Sequence, residues 1–339
     1  MADRVTSTDV ATRAGVSRSA VSRVFTPGAS VSEAMEKRVR RAAAELGYRP
    51  NVLARAMKAG RSKIVGLVVG YLQNQFYPDA LERLSRLLQA EGYHALVFMA
   101  SNTGAETEQV VSEILDYQVD AIILASVSMS NDLTRRCEAA GVPVVLFNRT
   151  QDDARLSAVT SDNRAGGARL AQFLLAGGHE RIAHIAGWEG ASTQRDRERG
   201  FLLGLAEGNQ SLFARAQGAF DYAKAQTATR EMFSTRPHPD AVFVANDHMA
   251  FAVMDVLRFE LRLRVPDDVS VVGYDDVPLA AWPAYDLTTV RQPSGRMAEA
   301  CVRAVLGRIR SPQARPQHTE IAGDLMIRSS ARVPEGWDR

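Results

Sequence analysis

Apolar residues in the first fifty positions fall at helical spacing, in three short runs. Val10, Ala11 and Ala14 share one face of a helix that Thr6 caps, with Asp9 closing a capping box and Gly15 ending it in the left-handed conformation that only glycine takes cheaply. Ser17 then caps a second helix, turning Val21, Val24 and Phe25 inward and Arg18, Ser19, Ser22 and Arg23 outward. Ser32 caps a third, whose stripe of Met35, Val39, Ala42, Ala43 and Leu46 runs to Gly47. Three short helices around one small core predict a helix-turn-helix module, and the polar, basic start of its second helix suits a major groove. An ordinary helical hairpin with a solvated polar face has the same local pattern. Beyond Gly47, Asn51 is a good N-cap, yet the stretch to Gly60 is too short for an isolated helix, because nucleation costs more than so few bonds return. It is either a segment that folds only when held or a plain linker.

From Lys63 the pattern changes. Ile64 to Val69 is an apolar run suited to a buried parallel strand, followed by an amphipathic helix at Tyr77 to Glu91 and a strand at His94 to Met99. The alternation continues with a helix at Thr107 to Tyr117, a strand at Ala121 to Ala125, a helix at Asn131 to Ala140 and a strand at Val144 to Phe147. A second series predicts helices at Ala165 to Ala176, Arg195 to Glu207, Ala223 to Thr235 and His248 to Glu260, with strands at Ile182 to Ala186, Ala241 to Ala245 and Val269 to Tyr274. This implies two doubly wound parallel sheets, with a ligand cleft between two lobes beyond the carboxyl ends of the strands. Asp162-Asn163 and Arg291-Gln292-Pro293 fall at plausible crossovers, so a helix at Arg296 to Arg308 would return to the first lobe. The expected domains are a headpiece at 1–50, a hinge at 51–63 and a core at 64–339, the first lobe about 64–162 and 293–322, the second about 163–292 and 323–330. From Arg328 onward no apolar heptad predicts a further oligomerisation helix.

Charge sharpens this picture where composition does not. The 339 residues are 46% hydrophobic, as a globular chain of two or three domains should be, and the formal charge is only +2. Residues 1–63, however, hold 13 Lys and Arg against 5 Asp and Glu, a net +8, which leaves −6 for the remainder. The basic charge lies where the helix-turn-helix lies, the footprint of phosphate binding. The two cysteines, Cys137 and Cys301, have no CxxC spacing and predict buried thiols in a reducing compartment. With no apolar signal core and no run long enough to span a bilayer, a cytoplasmic protein without membrane contact is expected.

Enzyme chemistry finds little support. The six histidines are scattered without an HExxH pair or a ligand cluster, and there is no P-loop, dinucleotide fingerprint or GxSxG elbow. Asp275 and Asp276 end a strand, but neighbours on an extended chain face opposite ways and make a poor acid/base pair. The reading is a non-enzyme without metal or cofactor.

Ordered motifs along nearly the whole chain carry a resemblance: Asp9-Val10-Ala11, Gly15-Val16-Ser17, Val21-Ser22-Arg23-Val24 and Gly47-Tyr48-Arg49-Pro50-Asn51 in the headpiece. The core adds Asp162-Asn163, Gly178-His179, Arg197 before Gly200, Ala245-Asn246-Asp247, Pro266-Asp267-Asp268-Val269-Ser270 and Gly273-Tyr274-Asp275-Asp276. The chain resembles the lactose-repressor (LacI/GalR) family of bacterial transcription regulators. That resemblance implies an all-α helix-turn-helix headpiece and an α/β two-lobed core similar to periplasmic binding proteins. It further implies a homodimer on a pseudo-palindromic double-stranded operator and a small-molecule effector, a sugar, sugar acid or sugar phosphate, that sets operator affinity. Arg18 and Ser19 match the positions that read base edges, and Thr6, Ser17, Ser22 and Arg23 accompany them. From the hinge come Asn51, Leu53, Ala54, Arg55 and Met57, the last matching a minor-groove wedge or, alternatively, packing between paired hinges. Arg197, Asn246 and Asp275 match the effector pocket, Tyr222 an aromatic platform, and Gln75, Phe76 and Tyr77 the opposite lobe. Trp188, Asn148 and Arg149 are further contacts or structural residues, and two arginines in one cleft favour an acidic effector. A sugar-binding receptor-like protein and an effector-independent DNA binder are the rival readings.

Overall fold

The computed structural model describes residues 5–26, 28–49, 61–100, 104–127 and 129–337. They belong to two compact units, Met1–Lys63 and Ile64–Arg339. The hinge positions Asn51, Leu53, Ala54, Arg55 and Met57 lie outside the described residues.

In the first unit, α1 (Ser7–Ala14), α2 (Arg18–Val24) and α3 (Glu33–Leu46) begin and end where local side-chain chemistry dictates. Thr6 Oγ1 accepts from the Asp9 amide while the Asp9 carboxylate accepts from the Thr6 amide at 2.8 Å, a complete capping box. Ser17 and Ser32 accept from the amides of Ala20 and Met35. Gly15 and Gly47 close their helices at φ 64° and 66°, where a Cβ would crowd the following carbonyl. Eight small residues, among them Val10, Val21, Val24 and Val39, form the buried core, with Phe25 and Tyr48 packed at its edge. At about 1.5–3 kcal/mol per buried valine such a core is slim, so caps worth about 1 kcal/mol each weigh heavily.

The second unit follows the strand-helix alternation. Its strands are β1 (Ile64–Val69), β2 (His94–Met99), β3 (Ala121–Ala125), β4 (Val144–Phe147), β5 (Ser157–Ser161), β6 (Ile182–Ala186), β7 (Ala214–Gln217), β8 (Ala241–Val244), β9 (Ser270–Asp275), β10 (Thr288–Arg291), β11 (His318–Ile321) and β12 (Leu325–Met326). The helices are α4 (Phe76–Ala90), α5 (Gly104–Asp116), α6 (Asn131–Ala139), α7 (Asn163–Ala176), α8 (Ser192–Glu207), α9 (Tyr222–Met232), α10 (Asp247–Asp255) and α11 (Ser294–Arg310). The first sheet runs β11-β5-β4-β3-β1-β2, all parallel; the second runs β12-β10-β9-β8-β6-β7, parallel except for β12. Register is fixed by burial on both faces: Val65 and Leu67 of β1 sit between Ala95 and Val97 of β2 and Ala121 and Ile123 of β3. A one-residue slip would turn every side chain to the wrong face. Strand order reverses at β1 and again at β6, so each sheet has a switch point that opens a crevice at its carboxyl edge. The chain passes between the sheets at Asp162, at Gln292-Pro293 and at 322–324, and α11 returns to pack Met297, Cys301 and Val305 beneath the first sheet.

Five strands, β5, β7, β10, β11 and β12, have no counterpart in the apolar pattern: they are short, and several are rich in serine, threonine or charge. β5 is buried throughout although it reads Ser-Ala-Val-Thr-Ser, because neighbours on both sides satisfy its backbone. The helix expected at His248 to Glu260 is α-helical only to Asp255 and then widens into a π-helical turn, Val256–Glu260.

Helices α7 and α8 pack backbone to backbone. Hypothetical Cβ atoms on Gly167 and Gly200 would lie 2.1 Å from the Arg197 carbonyl oxygen and 2.0 Å from that of Arg164. Gly200→Ala is therefore expected to force the helices apart and cost about 1–3 kcal/mol, read as a lower urea midpoint of the core transition with an unchanged slope. An unchanged midpoint would show that the pair tolerates separation.

Candidate nucleic-acid interface and ligand cleft

The outward face of α2 is polar and basic by construction. Its core-facing residues are fixed by Val21 and Val24, which leaves Arg18, Ser19 and Arg23 exposed and Ser22 half-buried. Ser17 Oγ caps the helix and lies 2.9 Å from Ser19 Oγ, pinning both hydroxyls at the N-terminal end. Arg13, Lys37 and Arg40 are paired with Glu45, Glu33 and Glu36, whereas among the described residues neither Arg18 nor Arg23 meets a carboxylate. Arg18 and Arg23 thus carry exposed charge without a carboxylate partner, as do Arg38 of α3 and Arg49 among the described residues. Thr6 is occupied locally, its hydroxyl donating to Asp9 Oδ2 at 2.8 Å.

In the core the charged centre is Arg197, 2% exposed on α8. It donates through Nε to Asn163 Oδ1 at 2.9 Å, through Nη1 to the Ala245 carbonyl at 2.7 Å and through Nη2 to Asp275 Oδ1 at 3.1 Å. Its guanidinium lies 3.7 Å from the centre of the Tyr274 ring. Asp275 in turn accepts from Asn74 Nδ2 at 2.9 Å and Gln292 Nε2 at 2.7 Å. One carboxylate therefore joins the loop after β1, the second lobe and a crossover. Asp275 and Asp276 are not extended: at φ 126° and 55° they leave β9 in a left-handed turn. Asp275 turns inward to Arg197, and Asp276 pairs at 2.6 Å with both Arg291 and Arg328.

The other sequence candidates line the same edges. Tyr77 and Phe76 are buried at the start of α4; Tyr77 Oη accepts from Asn148 Nδ2 at 3.0 Å and Phe76 stacks on Phe147. Gln75 is exposed beside them. Arg149 is buried, donates from Nη1 to the Ser126 carbonyl at 2.5 Å and lies 5.7 Å from the Trp188 ring across the cleft. A second direct link is the Thr150 amide donating to Ser192 Oγ at 2.8 Å. Tyr222 is half-buried and spends its hydroxyl on Asp255 Oδ2 at 2.7 Å, leaving only its ring as a platform, next to His248. Ser126 and Asn148 both stand at φ 69°, so backbone strain collects at these strand ends.

Among the described residues, the buried polar atoms that make no hydrogen bond include Ser126 Oγ and Asn148 Oδ1 in the first lobe and Asn246 Nδ2 and His248 Nε2 in the second. Asn246 Oδ1 caps α10 through the Met249 amide, so its amino group is the free end. Leaving a buried polar atom unpaired costs about 1–3 kcal/mol, and donors and acceptors on both sides of one cleft are what a polyol would satisfy. Ser126, His248, Asn74 and Gln292 were missed as site residues in the sequence. Gln292 was visible only as part of a crossover and His248 only as a stray histidine.

Asp247 lies beneath the site. Its Oδ1 is 2.6 Å from the Thr289 hydroxyl, its Oδ2 accepts from the Val277 amide, and Gly273 lacks the Cβ that would strike it. Burial first, then the nearby Asp275 charge, raises its pKa from the ordinary 3.8 to about 7. Burial also pushes Asp275 up, against the pull of Arg197, Asn74 and Gln292. Arg197 stabilises the Asp275 anion, whereas the partners of Asp247 are the Thr289 hydroxyl and the Val277 amide, so burial favours the neutral form of Asp247.

The family described as "Bacterial regulatory proteins, lacI family" matches residues 6–51, and "Periplasmic binding protein-like domain" matches residues 171–331. The chain is 34% identical over 332 residues, 95% of its length and 96% of the relative's, to the HTH-type transcriptional regulator CelR of Thermobifida fusca. Among solved structures it is similar to a CelR–cellobiose complex, with 32% identity, TM-score 0.73 and 96% and 100% of the two chains covered. It is also similar to the Lac repressor dimer bound to operator and the anti-inducer ONPF, with 26% identity, TM-score 0.87 and 97% and 99% covered.

Because Asp247 holds its proton more tightly folded than unfolded, its contribution to stability is full below 3.8 and is lost as pH rises through about 7. Asp247→Asn, which keeps the hydrogen-bonding shape, is expected to flatten that part of the thermal-midpoint profile relative to the wild type. Two parallel profiles would mean that Asp247 is ionised in the fold.

Proposed function

The chain belongs to the lacI family of bacterial regulatory proteins, and from that premise we propose a transcriptional repressor that binds a pseudo-palindromic operator as a homodimer and is controlled by a neutral sugar in the interlobe cleft. Its relatives are regulators rather than enzymes, and among the described residues no helix is long and apolar enough to cross a membrane. The observation that carries the DNA-binding half is the exposed, uncompensated Arg18 beside Ser19 at the start of α2. A guanidinium there can bond bidentately to guanine in the major groove. Val97 and Met99, both about half exposed on the edge strand β2, offer an apolar strip that suits a second copy.

The effector half rests on the unpaired polar atoms of Ser126, Asn148, Asn246 and His248. A neutral polyol fits better than an acid because the two arginines of the cleft are engaged within the protein, Arg197 by Asp275 and two oxygens, Arg149 by the Ser126 carbonyl and the Trp188 face. Trp188 and Tyr222 would cover the C–H faces of the ring while Asn148, Asn246 and His248 bond its hydroxyls. Cellobiose, seen with a relative, is of that class. Such a ligand touches both lobes, so it changes operator affinity by favouring one interlobe arrangement, and operator must change its affinity reciprocally by the same factor.

The test is fluorescence anisotropy on the best genomic site selected by the purified protein, with a panel of neutral sugars and sugar acids. One neutral sugar is expected to change operator affinity at least about tenfold, some 1.4 kcal/mol of coupling. Indifference to every compound, or a response to acids alone, would overturn the effector reading. Arg18→Ala is expected to relax preference at one base pair per half-site by about 1–3 kcal/mol; equal loss on specific and random DNA would reduce Arg18 to a phosphate contact.

A further inference from the structure

Trp188 reaches the cleft from a tight turn, residues 187–191, between β6 and α8. The Ala191 amide donates to the Trp188 carbonyl at 3.0 Å, and the indole folds over Gly190, where a Cβ would lie 2.2 Å from the ring. The Phe220 ring covers Gly187 just as closely. Two arginines hold the outer side of the turn. Arg195 Nη1 donates to the carbonyls of Glu189 and Gly190 at 3.1 and 2.9 Å, and Arg215 Nη2 donates to Glu189 Oε1 at 3.1 Å.

The inner side is held by one side-chain amide, that of the fully buried Gln194 in the first turn of α8. Its neighbours dictate how it is oriented. The Phe243 carbonyl only accepts, so buried His184, 2.9 Å away, carries its proton on Nδ1 and must accept at Nε2. Burial also lowers the His184 pKa, which keeps the ring neutral. Gln194 Nε2 therefore donates to His184 Nε2 at 3.2 Å and to Glu198 Oε2 at 2.9 Å, while its Oε1 accepts from the Gly187 amide at 2.6 Å. Arg215 Nε fixes Glu198 in turn, at 2.5 Å. A glutamate at 194 would set a second carboxylate beside Glu198, and an apolar side chain would leave the Gly187 amide and His184 Nε2 buried without partners. An amide of this length satisfies all of them at once.

We propose that Gln194 is a positioning residue for the cleft: through the Gly187 amide it sets the turn that places the Trp188 indole opposite Arg149, and thereby the affinity for a sugar it does not touch. This rests on the neutral-sugar reading of the cleft. Arg215 supports the same turn from outside, directly through Glu189 and indirectly through Glu198. The turn bears on the lobe arrangement as well, because the Trp188–Arg149 approach and the Thr150–Ser192 link at the turn's end both join the two lobes.

Fluorine NMR of the full-length protein carrying fluorotryptophan tests the first step without any ligand. The chain has three tryptophans, whose resonances are assigned by Trp188→Phe, Trp282→Phe and Trp337→Phe. Gln194→Met, which conserves volume and removes the amide, is expected to move the Trp188 resonance by more than its line width and to leave those of Trp282 and Trp337 in place. In operator anisotropy, about fivefold more cellobiose is then needed for half of the wild-type response. Arg215→Met, a surface change that leaves the core filled, keeps the test decisive if Gln194→Met does not fold, which a lost Trp337 resonance would reveal. It is expected to move Trp188 in the same direction and to raise the cellobiose requirement about twofold. A Trp188 resonance unmoved by the folded variants, or a moved one with an unchanged cellobiose requirement, overturns the proposal. A wild type that ignores cellobiose and every other neutral sugar sinks the sugar reading alone, since the fluorine spectra still decide whether Gln194 places Trp188.

Discussion

A buried ion pair, Arg197 with Asp275, is the constraint on which the core depends. Both partners lie almost wholly out of water, and removing one member of such a pair costs about 3–5 kcal/mol because the other is left uncompensated. The pair is tolerable because its remaining hydrogen-bonding capacity is satisfied. Asn163 and the Ala245 carbonyl take up the guanidinium, Tyr274 covers its face, and Asn74 and Gln292 complete the carboxylate. Those partners come from both lobes and a crossover, so the electrostatic solution for one arginine also sets how the lobes meet.

Much of the surrounding packing serves that arrangement. Glycines at 166, 167 and 200 let the Tyr274 hydroxyl and the α8 backbone approach α7, which seats Arg197 between them. Asp247 sits under the strand end with Thr289 and the Val277 amide, where burial and the nearby Asp275 charge raise its pKa and so oppose a second buried negative charge. Neutral hydrogen-bonding atoms of Ser126, Asn148 and Asn246 are left unpaired.

The two units divide the electrostatic work. The N-terminal 63 residues carry +8 and a core of a few valines and alanines, enough to hold α2 in place but not much more. The core carries −6 and two extensive sheets, a scaffold rigid enough for strained residues such as Asn148 and Asp275 to persist at strand ends. A regulator needs both characters: a basic surface that docks on phosphates, and a stiff two-lobed sensor whose small rearrangements have leverage.

The sequence by itself determined what is local in origin. Helix caps at Thr6, Ser17, Ser32, Gly15 and Gly47 act within four residues, and β1, β3, β4 and β6 read as apolar runs because each is buried between neighbours; their bounds, and those of the exposed edge strand β2, agree with the structure. The family's motifs likewise marked Arg197, Asn246 and Asp275. Tertiary structure alone decided the rest. β5, β7, β10, β11 and β12 become strands through pairing rather than hydropathy, and α10 gives way to a π-turn that helical periodicity cannot distinguish from more α-helix. It also decided which polar residues meet and which are left over: Asn74 reaches Asp275 across 201 positions, and atoms of Ser126, Asn148, Asn246 and His248 are buried without a hydrogen bond. Periodicity and capping are properties of a few consecutive residues, whereas desolvation and long-range hydrogen bonding exist only once the chain has closed on itself.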